Sequence, residues 1–226
     1  MQISELAAIC AANELALSDA QLQLLERYAT LLRETNQVVN LISRKDEENI
    51  LSKHILHSLA IAMPAITGIQ FPHNGLLFDI GTGGGLPGIP LKIVRPDLRL
   101  VLCDSIAKKI TAVTNMIYML GLSEIQAITT RAEELAKKDL HRHRFDAVIS
   151  RAVAPLDELL TWTSGLLKPG ALLLSLKGGD LNDEITRAKQ LKFVERIDEF
   201  PLALVGYDDF VTDEKKVVVV HTKSNS

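Results

Sequence analysis

The sequence predicts an α/β protein: a doubly wound, mostly parallel sheet with an antiparallel hairpin at one edge, preceded by a helical segment. Three observations predict it. From Leu76 onward, short apolar runs alternate with helix-compatible stretches, the pattern of strand–helix–strand units in a parallel sheet. A glycine-rich turn joins the first apolar run, Leu76-Leu77-Phe78, to the first of those helices. After Phe193 two further apolar runs follow with no full helix between them, which argues for a hairpin.

The elements follow in order. Residues 1–64 read as helical. Ser18-Asp19-Ala20-Gln21 has the form of a capping box, and Leu22, Leu25, Ala29 and Leu32 then recur at helical spacing. A second helix is expected over 47–63, stopped at Pro64, with Ile50, Ile55, Leu59 and Ala60 inward. Residues 67–75 have the composition of a linker, so the chain divides into an N-terminal helical extension, 1–70, and a larger unit, 71–226. Strands are expected at 76–80, 98–103, 124–129, 145–149 and 170–176, with helices near 86–94, 106–120, 155–167 and 181–191. The hairpin is expected from the runs 196–204 and 217–221, and 222–226 reads as a polar, frayed tail.

Composition bounds the function. The chain has 226 residues, 47% of them hydrophobic, enough for one α/β domain with a sizeable core and a small appendage. No apolar run approaches ~20 residues, so no membrane span is expected. The start, Met1-Gln2-Ile3-Ser4-Glu5, lacks the basic and apolar regions of a secretory signal. Cys10 and Cys103 read as buried thiols of a reducing compartment. A cytoplasmic monomer is the expectation. The net charge of −3 excludes a general polycation, so nucleic-acid binding would need a local basic patch.

The stretch 79–88, Asp-Ile-Gly-Thr-Gly-Gly-Gly-Leu-Pro-Gly, carries the chemistry. Gly83, Gly85 and Gly88 fit G-x-G-x-x-G, a weak signal that dinucleotide enzymes share. The surroundings tilt the choice. Pro87 and Pro90 remove two of the N–H donors that a pyrophosphate would need. Asp79, two residues before Gly81, would repel a pyrophosphate and suit a cationic ligand bearing an amino group and a sulfonium. Acid-x-Gly-x-Gly-x-Gly is the pattern of Rossmann-like enzymes that use S-adenosylmethionine. A dinucleotide turn and an ordinary ligand-free turn are the competing readings. Asp104, at the tip of the second strand, is placed to accept from both hydroxyls of a ribose, or to cap the helix near Ile106. That role serves any adenosine.

Further motifs complete a pattern: Asn40-Leu41, His54-Ile55-Leu56-His57-Ser58, Arg95-Pro96, Asp104-Ser105 with Lys108-Lys109, Arg131-Ala132-Glu133-Glu134, Ser150-Arg151-Ala152 and Leu176-Lys177-Gly178. With Leu86-Pro87-Gly88-Ile89-Pro90, they make nearly the whole chain resemble the ribosomal RNA small subunit methyltransferase G family, also called glucose-inhibited division protein B. The resemblance implies a class I S-adenosylmethionine (SAM) methyltransferase fold. It also implies methylation of guanine N7 at position 527 of 16S rRNA in the usual rRNA numbering. Three positions depart from the usual pattern: His57 stands where an acid is common, Thr35 where an aromatic is common, and Cys103 where an aliphatic is common.

The resemblance implies cofactor contacts from Asp79, Gly81, Gly83, Gly85, Leu86, Asp104, Ala132, Glu133 and Arg151, with 16S rRNA or the small ribosomal subunit as partner. Arg151 is expected to position a phosphate or the target guanine, with a salt bridge to Asp146 or Asp157 as its structural alternative. Guanine N7 carries a lone pair and no proton, so no general base is expected; in-line positioning does the work. RNA contacts are expected among Lys177, Arg142, Arg144 and Lys53, with solvated loops as the plainer reading. Rival readings are a methyltransferase for a protein or small molecule, and a silent SAM-binding module. His54 and His57 sit three apart on one helix, but no third ligand is evident, so no metal is expected; partly buried, hydrogen-bonded histidines are the reading.

Overall fold

The computed structural model describes residues 1–224. Helices α1 (Ile3–Ala12) and α2 (Asp19–Asn36) open the chain. At the start of α2, the Ser18 hydroxyl accepts from the Gln21 amide at 3.3 Å and the Gln21 side chain accepts from the Ser18 amide at 2.9 Å, the expected capping box.

The helix expected over 47–63 is a composite. A 3-10 turn (Arg44–Asn49) runs into a π-helical stretch (Ile50–Leu56), then α3 (His57–Leu59) and a second 3-10 turn (Ala60–Ala62). Ile50, Ile55, Leu59 and Ala60 are all buried, so the apolar periodicity marked the inward face and missed the change of pitch. Pro64 does not simply end the helix. It occupies the first turn of α4 (Pro64–Thr67), where its missing N–H costs nothing.

From there β1 (Leu76–Ile80), α5 (Gly88–Val94), β2 (Arg99–Asp104), α6 (Ala107–Met119), β3 (Ile125–Thr129), α7 (Ala132–Leu135), β4 (Phe145–Arg151), α8 (Leu156–Thr163), β5 (Leu167–Gly178) and α9 (Asn182–Ala188) alternate, the short α7 being the one helix of the series that was not expected. The chain closes with β6 (Val194–Pro201), α10 (Asp209–Thr212) and β7 (Lys215–Thr222). The sheet has seven strands in the order β3-β2-β1-β4-β5-β7-β6. Strands β1 to β5 pair in parallel, and β7 pairs antiparallel with both β5 and β6. The edge hairpin is therefore present, its first strand shifted to end at Pro201. The expected frayed tail is tied down at its start: Thr222 Oγ1 donates to the Ala171 carbonyl at 2.8 Å, and the Lys223 amide to Phe193 at 2.9 Å. Asn225 and Ser226 lie outside the described residues.

Alternation along the strands splits the core into two layers. Leu77, Leu100, Leu102, Ala147, Ile149, Leu174 and Val219 face α5, α6 and the N-terminal helices in one cluster. Phe78, Val101, Val148, Leu173 and Val220 face α7, α8 and α9 in the other. Leu6, Leu25, Leu32 and Ile55 share the first cluster with these strands, so the N-terminal helices form one layer of the sheet's own core.

The register places the site. Ile80, the last residue of β1, pairs with Cys103 on one side and Ser150 on the other. The next residues outward are Gly81, Asp104 and Arg151. They stand together where the strand order reverses, at the carboxyl ends of the strands, the position at which open α/β sheets form a crevice.

Candidate functional site: the turn after the first strand

Asp79 is fully buried at the end of β1. Its Oδ2 accepts from Thr82 Oγ1 at 2.6 Å and from the Gly88 amide at 3.0 Å, closing the turn and satisfying one donor at the start of α5 that has no partner within the helix. Its Oδ1 has no hydrogen-bond partner among the described residues. Burial pushes the carboxyl up to about 7, against the lowering effect of the Thr82 and Gly88 hydrogen bonds and of Arg151. The acid expected to face a ligand is thus half committed to its own loop, and only Oδ1 is left for one.

Close approach explains two glycines. Gly81 has φ +64°, and a Cβ there would lie 2.7 Å from Val153 Cγ2. Gly88 has no room either, because a Cβ would lie 2.7 Å from Asp79 Oδ2. Gly83 (φ +56°) and Gly85 (φ +94°) take the left-handed conformations of the turn. The Gly83 amide donates to Asp104 Oδ2 at 3.1 Å, and Ile106 N donates to Asp104 Oδ1 at 2.9 Å. Asp104 therefore holds the loop that leads into α6, but it does not cap that helix as expected: the N-cap position is Ile106, and no side chain caps it. A carboxylate has about four acceptor positions, so two remain for hydroxyls.

Beside the turn lies a cavity of about 170 Å³. Gly81, Asp104, Ala132, Glu133, Val153 and Trp162 are among its lining residues. It lies below the ~300 Å³ at which ligand pockets usually begin, room for one portion of a nucleoside. Glu133 sits in the first turn of α7, where the helix dipole favours an acid, and meets Arg131 at 3.5 Å. A larger cavity of about 620 Å³ lies between α1 and residues 205–209, lined by none of the expected site residues.

Leu86 is 2% exposed, and its side chain packs in the first core cluster. The salt bridge offered as the structural alternative for Arg151 is corrected. Asp146 pairs with Lys168 and Asp157 with Arg187. Arg151 Nη1 instead lies 2.7 Å from His54 Nδ1, and its Nε has no partner among the described residues. Burial lowers the Arg151 pKa, opposed by Tyr28, Asp79 and Asp46. The two histidines are buried more fully than expected, and the Nε2 of each lacks a hydrogen-bond partner among the described residues. Burial first, and Arg151 second, lower His54 to about 4 and His57 to about 3, so both rings are neutral at neutral pH.

The RNA candidates separate. Lys177 lies within β5, its side chain 10% exposed, its ammonium donating to the Ala154 carbonyl at 2.6 Å and pairing with Glu184 at 2.5 Å. It is spent on the fold. Arg142 and Arg144 precede Phe145, at the amino end of β4, while the crevice lies at the carboxyl ends. They are bound to Asp139 and the Leu140 carbonyl. Lys53 is half exposed, pairs with Asp46 at 3.4 Å, and precedes His54 in the chain.

Tyr28, His54 and Trp162 were not among the expected site residues. The signal for Tyr28 was present: a tyrosine on the inward stripe of α2 must find a polar partner for its hydroxyl. The chain's one tryptophan carried no local signal.

This sheet order, with a glycine turn at its switch point and acids ending β1 and β2, defines a class I SAM-dependent methyltransferase fold. Solved structures agree. A tRNA methyltransferase from Aquifex aeolicus superposes with a TM-score of 0.56 at 10% identity, covering 74% of this chain and 70% of that one. A putative rRNA-methylase from Clostridium thermocellum gives 0.52 at 15%, covering 77% and 98%. A family model described as rRNA small subunit methyltransferase G matches residues 21–206. Proteins named ribosomal RNA small subunit methyltransferase G are 40% identical over 222 residues in Chlorobium phaeobacteroides (96% of this chain, 95% of that one) and 41% over 216 in Chlorobaculum tepidum (93% and 94%). The chain belongs to the rRNA small subunit methyltransferase G family.

Proposed function

We propose that this protein transfers a methyl group from SAM to N7 of a guanine in the 16S rRNA of the small ribosomal subunit, in the cytoplasm. Family membership supports rRNA as the acceptor. The observation that carries the donor is the turn itself: a left-handed glycine backbone at Gly81, packed so close to Val153 that a Cβ would collide with it, and a buried Asp79 whose Oδ1 has no hydrogen-bond partner among the described residues. A buried carboxylate oxygen without a donor is costly, and an ammonium group would satisfy it. No group of three or more His, Cys, Asp or Glu among the described residues is arranged to hold a metal ion.

SAM, when bound, supplies an electrophilic methyl on a sulfonium. In this reading Gly81, Gly83 and Gly85 let the backbone approach it, and Asp79 Oδ1 and Asp104 accept its amino and ribose donors. The cavity beside Ala132 and Glu133 takes the adenine. Because N7 has no proton to lose, the protein's task is alignment. In this reading the partly buried Arg151 cation holds O6 of the guanine or a phosphate, and the neutral rings of His54 and His57 add no second charge beside a base that becomes cationic. In this reading the unit 71–226 carries the donor site and the extension 1–70 buttresses it.

The test is RNA-dependent transfer of label from tritiated SAM, followed by mapping of N7-methylguanosine in 16S rRNA with and without the gene. Transfer to protein or small molecules alone, or methylation at another guanine atom, would overturn the reading. Titration of NAD against thermal stability gives a separate check, since a true ligand raises the melting temperature by mass action.

A further inference from the structure

We propose that His54 is a positioning residue for Arg151: its imidazole, protonated on Nε2 only, holds the guanidinium in place through Nδ1. The proposal rests on the reading that Arg151 lies at the methyl-donor site.

Arginine donates and never accepts. With Arg151 Nη1 2.7 Å from His54 Nδ1, the ring nitrogen must be the acceptor and carry no proton. The single ring proton then sits on Nε2, which faces Asp46 Oδ2 at 3.7 Å. The two residues are 97 positions apart, so the contact reflects the packing of the N-terminal helices on the sheet and not a local turn. The backbone around His54 is built to aim it. His54 lies in the π-helical stretch Ile50–Leu56, and single π turns occur often at functional sites because they redirect side chains. The Ser58 hydroxyl donates to the His54 carbonyl at 2.6 Å, anchoring the turn that follows.

Arg151 needs such a support. It ends β4, next to Ala152, whose φ of +53° turns the chain sharply away from the sheet. The neighbouring acids Asp146 and Asp157 are taken by Lys168 and Arg187. A neutral acceptor orients the guanidinium without cancelling its charge, so the cation remains available to a phosphate or a guanine edge. A carboxylate in its place would neutralise that charge.

The test exploits shape. The Oδ1 of Asn at position 54 falls close to where Nδ1 of His stands, while the side-chain oxygen of Gln reaches toward Nε2. His54→Asn is expected to keep kcat/KM for rRNA methylation within about threefold of wild type. His54→Gln and His54→Ala are expected to lose between about tenfold and about a hundredfold, the scale of a misplaced catalytic group. All three should melt cooperatively near the wild-type temperature. Equal activity in Asn, Gln and Ala variants, or losses that track unfolding in all three, would overturn the proposal. A second arm does not depend on the enzyme reading. Long-range 15N–1H spectra of the wild-type imidazole should show the Nε2–H tautomer at neutral pH, and an Nδ1–H tautomer would sink the hydrogen bond whatever the protein methylates. If wild type fails to methylate rRNA while the tautomer is Nε2–H, the functional reading fails and the His54–Arg151 contact stands.

Discussion

The Tyr28 hydroxyl donates to the Gly84 carbonyl across 2.9 Å, joining helix α2 to the middle of the glycine turn. Tyr28 is fully buried, and Leu32, one turn further along α2, would lie 2.8 Å from a Cβ at Gly84. The N-terminal helix α2 is thus part of the wall of the glycine turn. Tyr28→Phe keeps the ring and leaves the Gly84 carbonyl without its donor. It should cost about 1–3 kcal/mol in denaturant unfolding and weaken SAM binding measured by calorimetry. Unchanged SAM affinity would separate α2 from the turn.

Space, and not backbone conformation alone, should decide the glycines. Gly81 and Gly121 share φ values of +64° and +65°, but a Cβ at Gly81 meets Val153 and one at Gly121 meets nothing within 4 Å. Gly121→Ala should cost only the left-handed strain, about 1–2 kcal/mol, with SAM binding intact. Gly81→Ala should add overpacking of about 1–3 kcal/mol and abolish SAM binding. Equal effects in both variants would show that the close approach of Val153 has no consequence.

Stability should depend on pH through buried groups with opposite signs. His54 and His57 fall from 6.5 to about 4 and about 3, so the folded protein binds fewer protons than the unfolded chain below pH 6.5, and stability rises with pH in that window. Arg151 faces both rings; Asp46 and Lys53 also face His54, and Lys215 faces His57. Asp79 is raised to about 7, so it holds a proton that the unfolded chain has lost above pH ~4, and its contribution fades as pH rises toward 7. Two histidines against one acid leave a net rise up to about pH 6.5 in the ligand-free protein. Urea titrations across pH 4 to 8 should show it, with a shallower acid limb in His57→Gln and a flatter neutral limb in Asp79→Asn. An acid limb of the same slope in His57→Gln would place the proton uptake elsewhere.

The basic residues should divide by their place in the fold. Lys177→Met strands Glu184, whose carboxylate also accepts from the Leu156 amide, and should destabilise by about 2 kcal/mol without changing RNA affinity. Lys53→Ala should leave stability unchanged and lower the log–log salt slope of RNA binding by about 1. Arg142→Ala and Arg144→Ala, at the far end of the sheet, should change neither quantity. A salt slope that fell for Arg144→Ala and not for Lys53→Ala would put the RNA on the opposite edge.

Much of the architecture was legible because its causes are local. Apolar alternation marked β1, β2 and β4 to within one or two residues, and the missing helix after Phe193 marked the hairpin. The acid-and-glycine turn was legible because left-handed backbone and close approach leave few choices of residue. The π-helical stretch was not, since Ile50, Ile55 and Leu59 satisfy an inward face at either pitch. Lys177 could not be read either: an ammonium before Gly178-Gly179 looks the same whether water or Glu184 receives it.

The chain's own letters determined the sheet, its switch point, and the placing of Asp79, Gly81 and Asp104 around one turn, because periodicity and backbone freedom act over a few residues. Only the tertiary structure decided that Arg151 would rest on His54, that Tyr28 would brace Gly84, and that Leu86 would turn into the core. Those contacts join segments 56 and 97 positions apart, or depend on which neighbour fills a space first. They follow from packing a second layer of helices against the sheet, and no short stretch of sequence encodes that.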